Sequence, residues 1–204
     1  MDFGYTQDQE ELRQEVRAFI DGNVGQGLLD EMEGGEEGGR GPEYRDLVKK
    51  VADKGWIGIS WPKEYGGQSG SRIDQYIVEE EFMRRGIAVG GAGSGAPAIL
   101  AAGTEEQKEF FIPGMIRGDI IFALGFTEPQ AGADLAGLQC RAVRDGDDFV
   151  INGQKIFISL ADFADYIWLA ARTDPDAAKH KGISMILVPM NAPGLETTPI
   201  KNLG

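Results

Sequence analysis

Gly118-Asp119-Ile120-Ile121-Phe122-Ala123-Leu124-Gly125-Phe126-Thr127 marks the point where the hydrophobic pattern of this chain changes period. Residues 120–126 form a short apolar run, the composition of a buried strand. Downstream, Asp145-Gly146-Asp147 and Asn152-Gly153 are hairpin signals between short apolar segments, and further strands are predicted at Tyr166–Arg172 and Ile183–Pro189. Hairpins in succession, with no crossover helix between them, predict an antiparallel sheet or barrel. Upstream the spacing is helical. The expected fold class is therefore α+β: an all-α domain over residues 1–118, then an antiparallel β domain over residues 119–204.

The helical half has readable starts and stops. Thr6 and Gln9 form an S/T-x-x-Q capping box, and Leu12, Val16, Phe19 and Ile20 then share one face. Residues 22–41 loosen; Glu33-Gly34-Gly35-Glu36-Glu37-Gly38-Gly39 holds no core residue and predicts a surface loop. Pro42 opens a second helix with Tyr44, Leu47, Val48, Val51 and Ala52 inward and Gly55 beyond its end. Ser71 opens a third, running to Gly86, with Ile73, Tyr76, Ile77 and Met83 as expected core positions. The run Glu79-Glu80-Glu81 cannot converge on one atom, because successive helical residues point about 100° apart. It predicts a solvated face with one buried partner for an arginine. A short helix over residues 96–102 ends at Gly103, and Thr104 with Gln107 caps the next, which carries Phe110, Phe111 and Met115.

Composition removes several function classes. The 204 residues carry a formal charge of −13, which disfavours binding to nucleic acid or anionic membrane. No apolar run approaches the roughly 18 residues of a membrane span. One cysteine, Cys140, and one histidine, His180, cannot build a disulfide framework or a Cys/His zinc site within the chain. His180 lies in Lys179-His180-Lys181, which reads as a solvated turn rather than part of a Ser-His-Asp triad. The start, Met1-Asp2-Phe3-Gly4-Tyr5, lacks a basic patch followed by an apolar stretch, so a cytoplasmic location is expected.

Two segments invite a ligand. Gly93-Ser94-Gly95-Ala96-Pro97-Ala98 matches G-x-G-x-x-A, but a dinucleotide fingerprint must follow a strand, and here a helix and a Gly-rich stretch precede it. In Thr127-Glu128-Pro129-Gln130-Ala131-Gly132-Ala133-Asp134, Thr127 offers a hydroxyl and an N–H where a strand ends. The small residues Ala131, Gly132 and Ala133 let backbone approach a flat ligand. From the residues alone, a ligand site and a plain strand-to-loop transition both remain open.

This second segment resembles the T-E-P-x-A-G-S-D signature of the acyl-CoA dehydrogenase family. Gly55-Trp56 with Trp61-Pro62-Lys63-Glu64-Tyr65-Gly66-Gly67 is similar to the family's GW…P-x-E-Y-G-G segment. Gly103-Thr104-Glu105-Glu106-Gln107-Lys108 is similar to its G-T-E-E-Q-K helix start, and Asn152-Gly153-Gln154-Lys155-Ile156-Phe157-Ile158-Ser159 to its N-G-x-K-x-W-I-T strand. The matches run in order along nearly the whole chain.

The resemblance implies FAD as cofactor and α,β-dehydrogenation of an acyl-CoA thioester. A glutamate takes the α-proton and a hydride passes from the β-carbon to flavin N5. It implies a helical domain, a middle β domain and a C-terminal helical bundle. The bundle and the base lie beyond Gly204, so the resemblance assigns no catalytic residue to this chain, and the 204 residues alone are expected to be inactive. The implied cofactor-binding residues are Leu124, Phe126, Thr127, Gly132, Ala133, Phe157, Ile158 and Ser159. Thr127 matches a residue bonding the ring, and Phe157 and Ser159 match a tryptophan and a threonine that cover it. Ala133 replaces a serine near the flavin and the CoA side of the substrate, so its backbone alone can serve there. Leu160 replaces the asparagine usual after the threonine. The Ile158-Ser159-Leu160 variant resembles actinobacterial members acting on sterol side-chain thioesters, which pair as α2β2 complexes. Implied partners are an acyl-CoA, an electron-transfer flavoprotein as acceptor, and further subunits of a homo- or heterotetramer. Two alternatives stay open: an oxidase or flavin monooxygenase of the same architecture, and a non-catalytic subunit or fragment supporting a partner chain.

Overall fold

A computed structural model describes residues 4–34, 41–89 and 95–200. The chain divides into two compact units, Met1–Ile121 and Phe122–Gly204.

The first unit is helical: α1 (Gln7–Asn23), α2 (Gln26–Gly34), α3 (Pro42–Asp53), α4 (Arg72–Met83), α5 (Gly95–Ala102) and α6 (Glu105–Ile116). The capping boxes at Thr6/Gln9 and Thr104/Gln107 are both formed. Each satisfies two backbone N–H groups that the first helical turn leaves without partners. Val16, Ile20, Leu47, Val48, Val51, Ile77, Val78 and Phe82 are buried, and Phe19 packs edge-on against Trp56 and Phe82.

Two expectations for this unit need correction. The stretch 22–41, expected to be loose, contains α2, whose Leu28 is buried and whose end takes in Glu33 and Gly34 of the expected loop. Its remaining part, residues 35–40, lies outside the described residues, as do Gly93 and Ser94 of the G-x-G-x-x-A match and the final four residues. On α4, Ile73, Tyr76 and Met83 are exposed at 51%, 55% and 58%, and the buried face is Ile77, Val78, Glu81 and Phe82. The helix is rotated toward Glu81, which is the buried arginine partner. Its carboxylate accepts from Arg13 Nε (2.8 Å) and from Arg17 Nε and Nη2 (2.8 and 2.9 Å). An apolar count alone misses this, because a carboxylate belongs inside once guanidinium groups pair it.

The second unit is a five-stranded sheet: β1 (Phe122–Gly125), β2 (Arg141–Asp145), β3 (Asp148–Asn152), β4 (Tyr166–Arg172) and β5 (Ile183–Pro189). The order of helices before strands is as expected, but the sheet is mixed rather than antiparallel. β2–β3 and β4–β5 pair antiparallel, whereas β1 runs parallel to β4 with Phe122 opposite Tyr166 and Gly125 opposite Leu169. A parallel pair needs a long return path, usually a helix. Here the path is the 126–140 excursion, the β2–β3 hairpin and the turns before β4, so no helical crossover signals it in the sequence. Gly146 turns the hairpin at φ 65°. The other hairpin signal, Asn152-Gly153, is followed by no strand before β4. Gly153 instead passes directly against β2, where a Cβ would lie 2.6 Å from Cys140 Cα. That close passage delivers Lys155 to the end of β1.

Candidate functional site

β1 ends at Gly125, and its continuation meets the segment after Gly153. Lys155 Nζ donates to the Phe126 carbonyl (3.2 Å), and the Ile156 N–H donates to the Thr127 carbonyl (3.0 Å). These bonds bring the first expected group, Leu124, Phe126 and Thr127, beside the second, Phe157, Ile158 and Ser159.

Between them lies a residue that sequence reasoning left without a role. Glu128 is 3% exposed. Its carboxylate accepts from the Gln139 N–H (2.6 Å), the Cys140 N–H (2.9 Å), Lys155 Nζ (2.8 Å) and the Gln130 side-chain amide. Burial pulls its pKa up, but the Gln139 N–H, Lys155 and the Cys140 N–H outweigh that and hold it below the ordinary value. The Cys140 thiol, without such donors, is pushed up by burial. Glu128 and Lys155 side chains are 1% and 8% exposed, so theirs is a buried ion pair. The available signal was a lone glutamate three residues beyond the end of a buried strand and a lysine in an otherwise neutral turn.

The two arms of the site present different chemistry. Thr127 is half-buried; its carbonyl is taken by Ile156, while its hydroxyl and N–H have no hydrogen-bond partner among the described residues. Phe157 has φ 58° and is 72% exposed, leaving an uncovered aromatic face. Ile158 points the other way, against the core cluster of Ala123, Cys140, Ala142, Ile167, Leu169 and Ala171. Its side chain is structural and its carbonyl accepts from the Ala161 N–H (3.4 Å), so the backbone N–H, without a partner among the described residues, is what can serve a ligand. Ser159 is exposed, and its hydroxyl has no partner among the described residues. The turn that follows is closed by the Leu160 carbonyl, which accepts from Phe163 and Ala164.

Gly132 and Ala133 are exposed and stand apart: among the described residues no hydrogen bond joins them to residues 155–159. Reciprocal backbone bonds between Glu128 and Ala131 fold the chain back on itself. Ala131 is buried with Leu138 and Ala170, against which Phe126 packs. Arg172 holds the segment beyond, donating to the Ala136 and Leu138 carbonyls, and Lys179 pairs with Asp134. Among the described residues no group of His, Cys, Asp and Glu could hold a metal ion, and no helix is long and apolar enough to cross a membrane.

Residues 6–119 match the family profile described as "Acyl-CoA dehydrogenase, N-terminal domain", and residues 123–204 match "Acyl-CoA dehydrogenase, middle domain". The chain is 44% identical over 211 residues to Acyl-CoA dehydrogenase FadE26 of Mycobacterium tuberculosis, covering 100% of this chain and 52% of that protein. Among solved structures it is similar to the Tcur3481-Tcur3483 steroid ACAD, with a TM-score of 0.89 and 48% identity over 100% of this chain and 53% of that one. It is likewise similar to the ChsE4-ChsE5 complex from Mycobacterium tuberculosis, with a TM-score of 0.89 and 43% identity over 100% of this chain and 52% of that one. The chain thus spans about half the length of the relatives it matches. With both profiles matched in order over nearly its whole length, this chain belongs to the acyl-CoA dehydrogenase family.

Proposed function

We propose that this chain is the flavin-facing part of an FAD-dependent acyl-CoA dehydrogenase, with residues 1–118 as its helical domain and 119–204 as part of its middle β domain. One observation carries the reading. The Lys155 and Ile156 bonds to the end of β1 set two hydroxyls, Thr127 and Ser159, neither with a partner among the described residues, beside the open ring of Phe157. Such donors suit the carbonyl and ring-nitrogen acceptors of an isoalloxazine, and an open aromatic face suits its plane. Bound FAD supplies the hydride acceptor; the protein supplies orientation and electrostatics.

In this reading Leu124 and Phe126 line the ring, and Thr127 and Ser159 fix its polar edge. Phe157 covers it and keeps water away. Gly132 and the Ala133 backbone serve the side toward CoA. The α-proton must go to a carboxylate within contact of the substrate. Neither buried carboxylate suits that task. Arginine partners hold Glu81 as an anion, and Glu128 accepts four hydrogen bonds. We assign the base to a part of the protein outside these 204 residues. The steroid ACAD and the ChsE4-ChsE5 complex among the similar structures support a steroid-derived CoA thioester as substrate and a heteromeric assembly, and the resemblance of Ile158-Ser159-Leu160 to the sterol side-chain type suggests that the assembly is α2β2. An electron-transfer flavoprotein is the acceptor in this reading, and the cytoplasm the location.

The test is FAD titration of the full-length protein and its Thr127→Val and Ser159→Ala variants, read by flavin fluorescence and visible absorption. Each lost hydrogen bond is expected to cost about 0.5–1.5 kcal/mol, a weakening of roughly 2–10-fold. Unchanged affinity and spectrum in both variants would refute the reading.

A further inference from the structure

Glu128 and Lys155 are each one or two positions from the residues expected at the flavin. Glu128 directly follows Thr127, and Lys155 precedes Phe157 by two residues. A carboxylate offers about four acceptor sites, and four donors reach this one: Gln139 N–H, Cys140 N–H, Lys155 Nζ and the Gln130 amide. It has no capacity left for a ligand. Lys155 in turn spans to the Phe126 carbonyl. Three separate stretches of chain, 126–130, 139–140 and 155–156, therefore converge on one buried ion pair.

A buried ion pair is weak evidence for stability, because its desolvation offsets most of its attraction and an apolar pair of similar volume often does as well. What it supplies that an apolar pair cannot is direction. Each lone pair is matched to one donor, so the three stretches can meet in one register only. A methyl-to-methyl contact would let the 155–159 segment slide against the end of β1.

We propose that the Glu128–Lys155 pair is a positioning device, which touches no cofactor but fixes the spacing between Thr127 and Phe157–Ser159 and so controls how tightly and in what environment the flavin is held. The inference rests on the flavin reading given above. It differs from a mere brace in its consequence: a brace lowers the melting temperature when broken, whereas a positioning pair also changes the spectrum of flavin that is still bound.

The experiment uses the full-length, flavin-loaded protein and four variants: Glu128→Gln, Lys155→Met, the double variant, and Phe157→Ala as a direct-contact reference. FAD Kd, the visible bands and fluorescence of the bound flavin, and the melting temperature of the apoprotein are measured for each. E128Q and K155M are each expected to weaken FAD by about 10–100-fold, the range found when a group orienting a metal ligand is lost. Both are expected to shift the bound-flavin bands. The double variant is expected to lie within about twofold of the worse single variant, since the pair acts as one unit. If F157A alters the flavin while E128Q and K155M change only the apoprotein melting temperature, the positioning role is overturned and the flavin reading stands. If F157A also leaves flavin affinity and spectrum unchanged, both fall. Should E128Q not fold, K155M decides by the same readouts.

Discussion

Leu160 has φ 71°, in the left-handed region that costs an ordinary L-residue about 1–2 kcal/mol and that asparagine tolerates best after glycine. This backbone makes a contrast that packing alone would invert. Leu160→Asn removes apolar contact from a half-buried position but relieves backbone strain, two opposing effects of about 1 kcal/mol each. A net change within about 0.5 kcal/mol is expected. Leu160→Val keeps the apolar character but places a β-branched residue where it fits worst, and about 1–2 kcal/mol of destabilisation is expected. Melting temperatures of the two variants check this, with valine expected several degrees below asparagine. At this scale the sequence identified side-chain chemistry better than direction. Phe157 and Ser159 are exposed, but Ile158 turns into the core, which the alternation of a short segment without strand pairing did not reveal. Glu128 and Lys155 were present in the motifs, but their pairing is a three-dimensional fact: 27 positions separate them, and only the passage of Gly153 against Cys140 brings them together.

Among the elements, the helices marked by a capping box, a cap serine, a leading proline or a closing glycine were legible, and α2 was not. α2 has neither an N-cap motif nor a long stripe. It persists because Leu28 is buried and because Glu31 serves its neighbour. The Glu31 carboxylate accepts from the backbone N–H groups of Gly41, Glu43 and Tyr44 at 2.8–2.9 Å, capping α3, whose own N-cap is a glycine without a side chain. Glu31→Ala is therefore expected to cost about 0.5–2 kcal/mol, as loss of an N-cap does, in urea unfolding. An unchanged midpoint would show that water replaces the cap. α4 gives a pH-dependent case. Hydrogen bonding from Arg17, opposed by burial and reinforced by Arg13, holds the Glu81 carboxyl below its ordinary value of 4.5. A carboxylate with a depressed folded value stabilises the fold above its unfolded value, and that contribution is lost as pH falls through the folded one. Glu81→Gln is expected to lower stability by about 1.5–3 kcal/mol at neutral pH, where charged hydrogen bonds are lost. As pH falls through that lowered value the gap to the parent protein should narrow, because the parent then loses the same charge. A gap that stays constant with pH would contradict the assignment. The parallel β1–β4 pair was illegible for a general reason: strand direction is set by the path between strands, and this path contains no α-helix to mark it, only a short 3-10 turn at Leu135–Gly137.

For the whole molecule, the sequence alone supplied the order of helices before strands and the family. It could not supply pairing direction, because local pattern says nothing of which strand lies beside which. In the proposed reading the chain is one part of a larger enzyme. Residues 1–204 alone, mixed with FAD and a panel of acyl-CoA thioesters without oxygen, are expected to bleach the flavin at least about 10²–10⁴-fold more slowly than the full-length protein, the contribution of a general base. Bleaching at a comparable rate would mean that a base within these residues has been overlooked. The central claim is narrower: the flavin sits across the junction of the β1 end with the 157–159 segment. A crystal structure of the full-length protein with FAD bound tests it most directly. The isoalloxazine is expected within about 3 Å of Thr127 and Ser159, hydrogen-bond distance, with Phe157 against its face. A ring bound elsewhere, with both hydroxyls and Phe157 still facing solvent, would contradict the account.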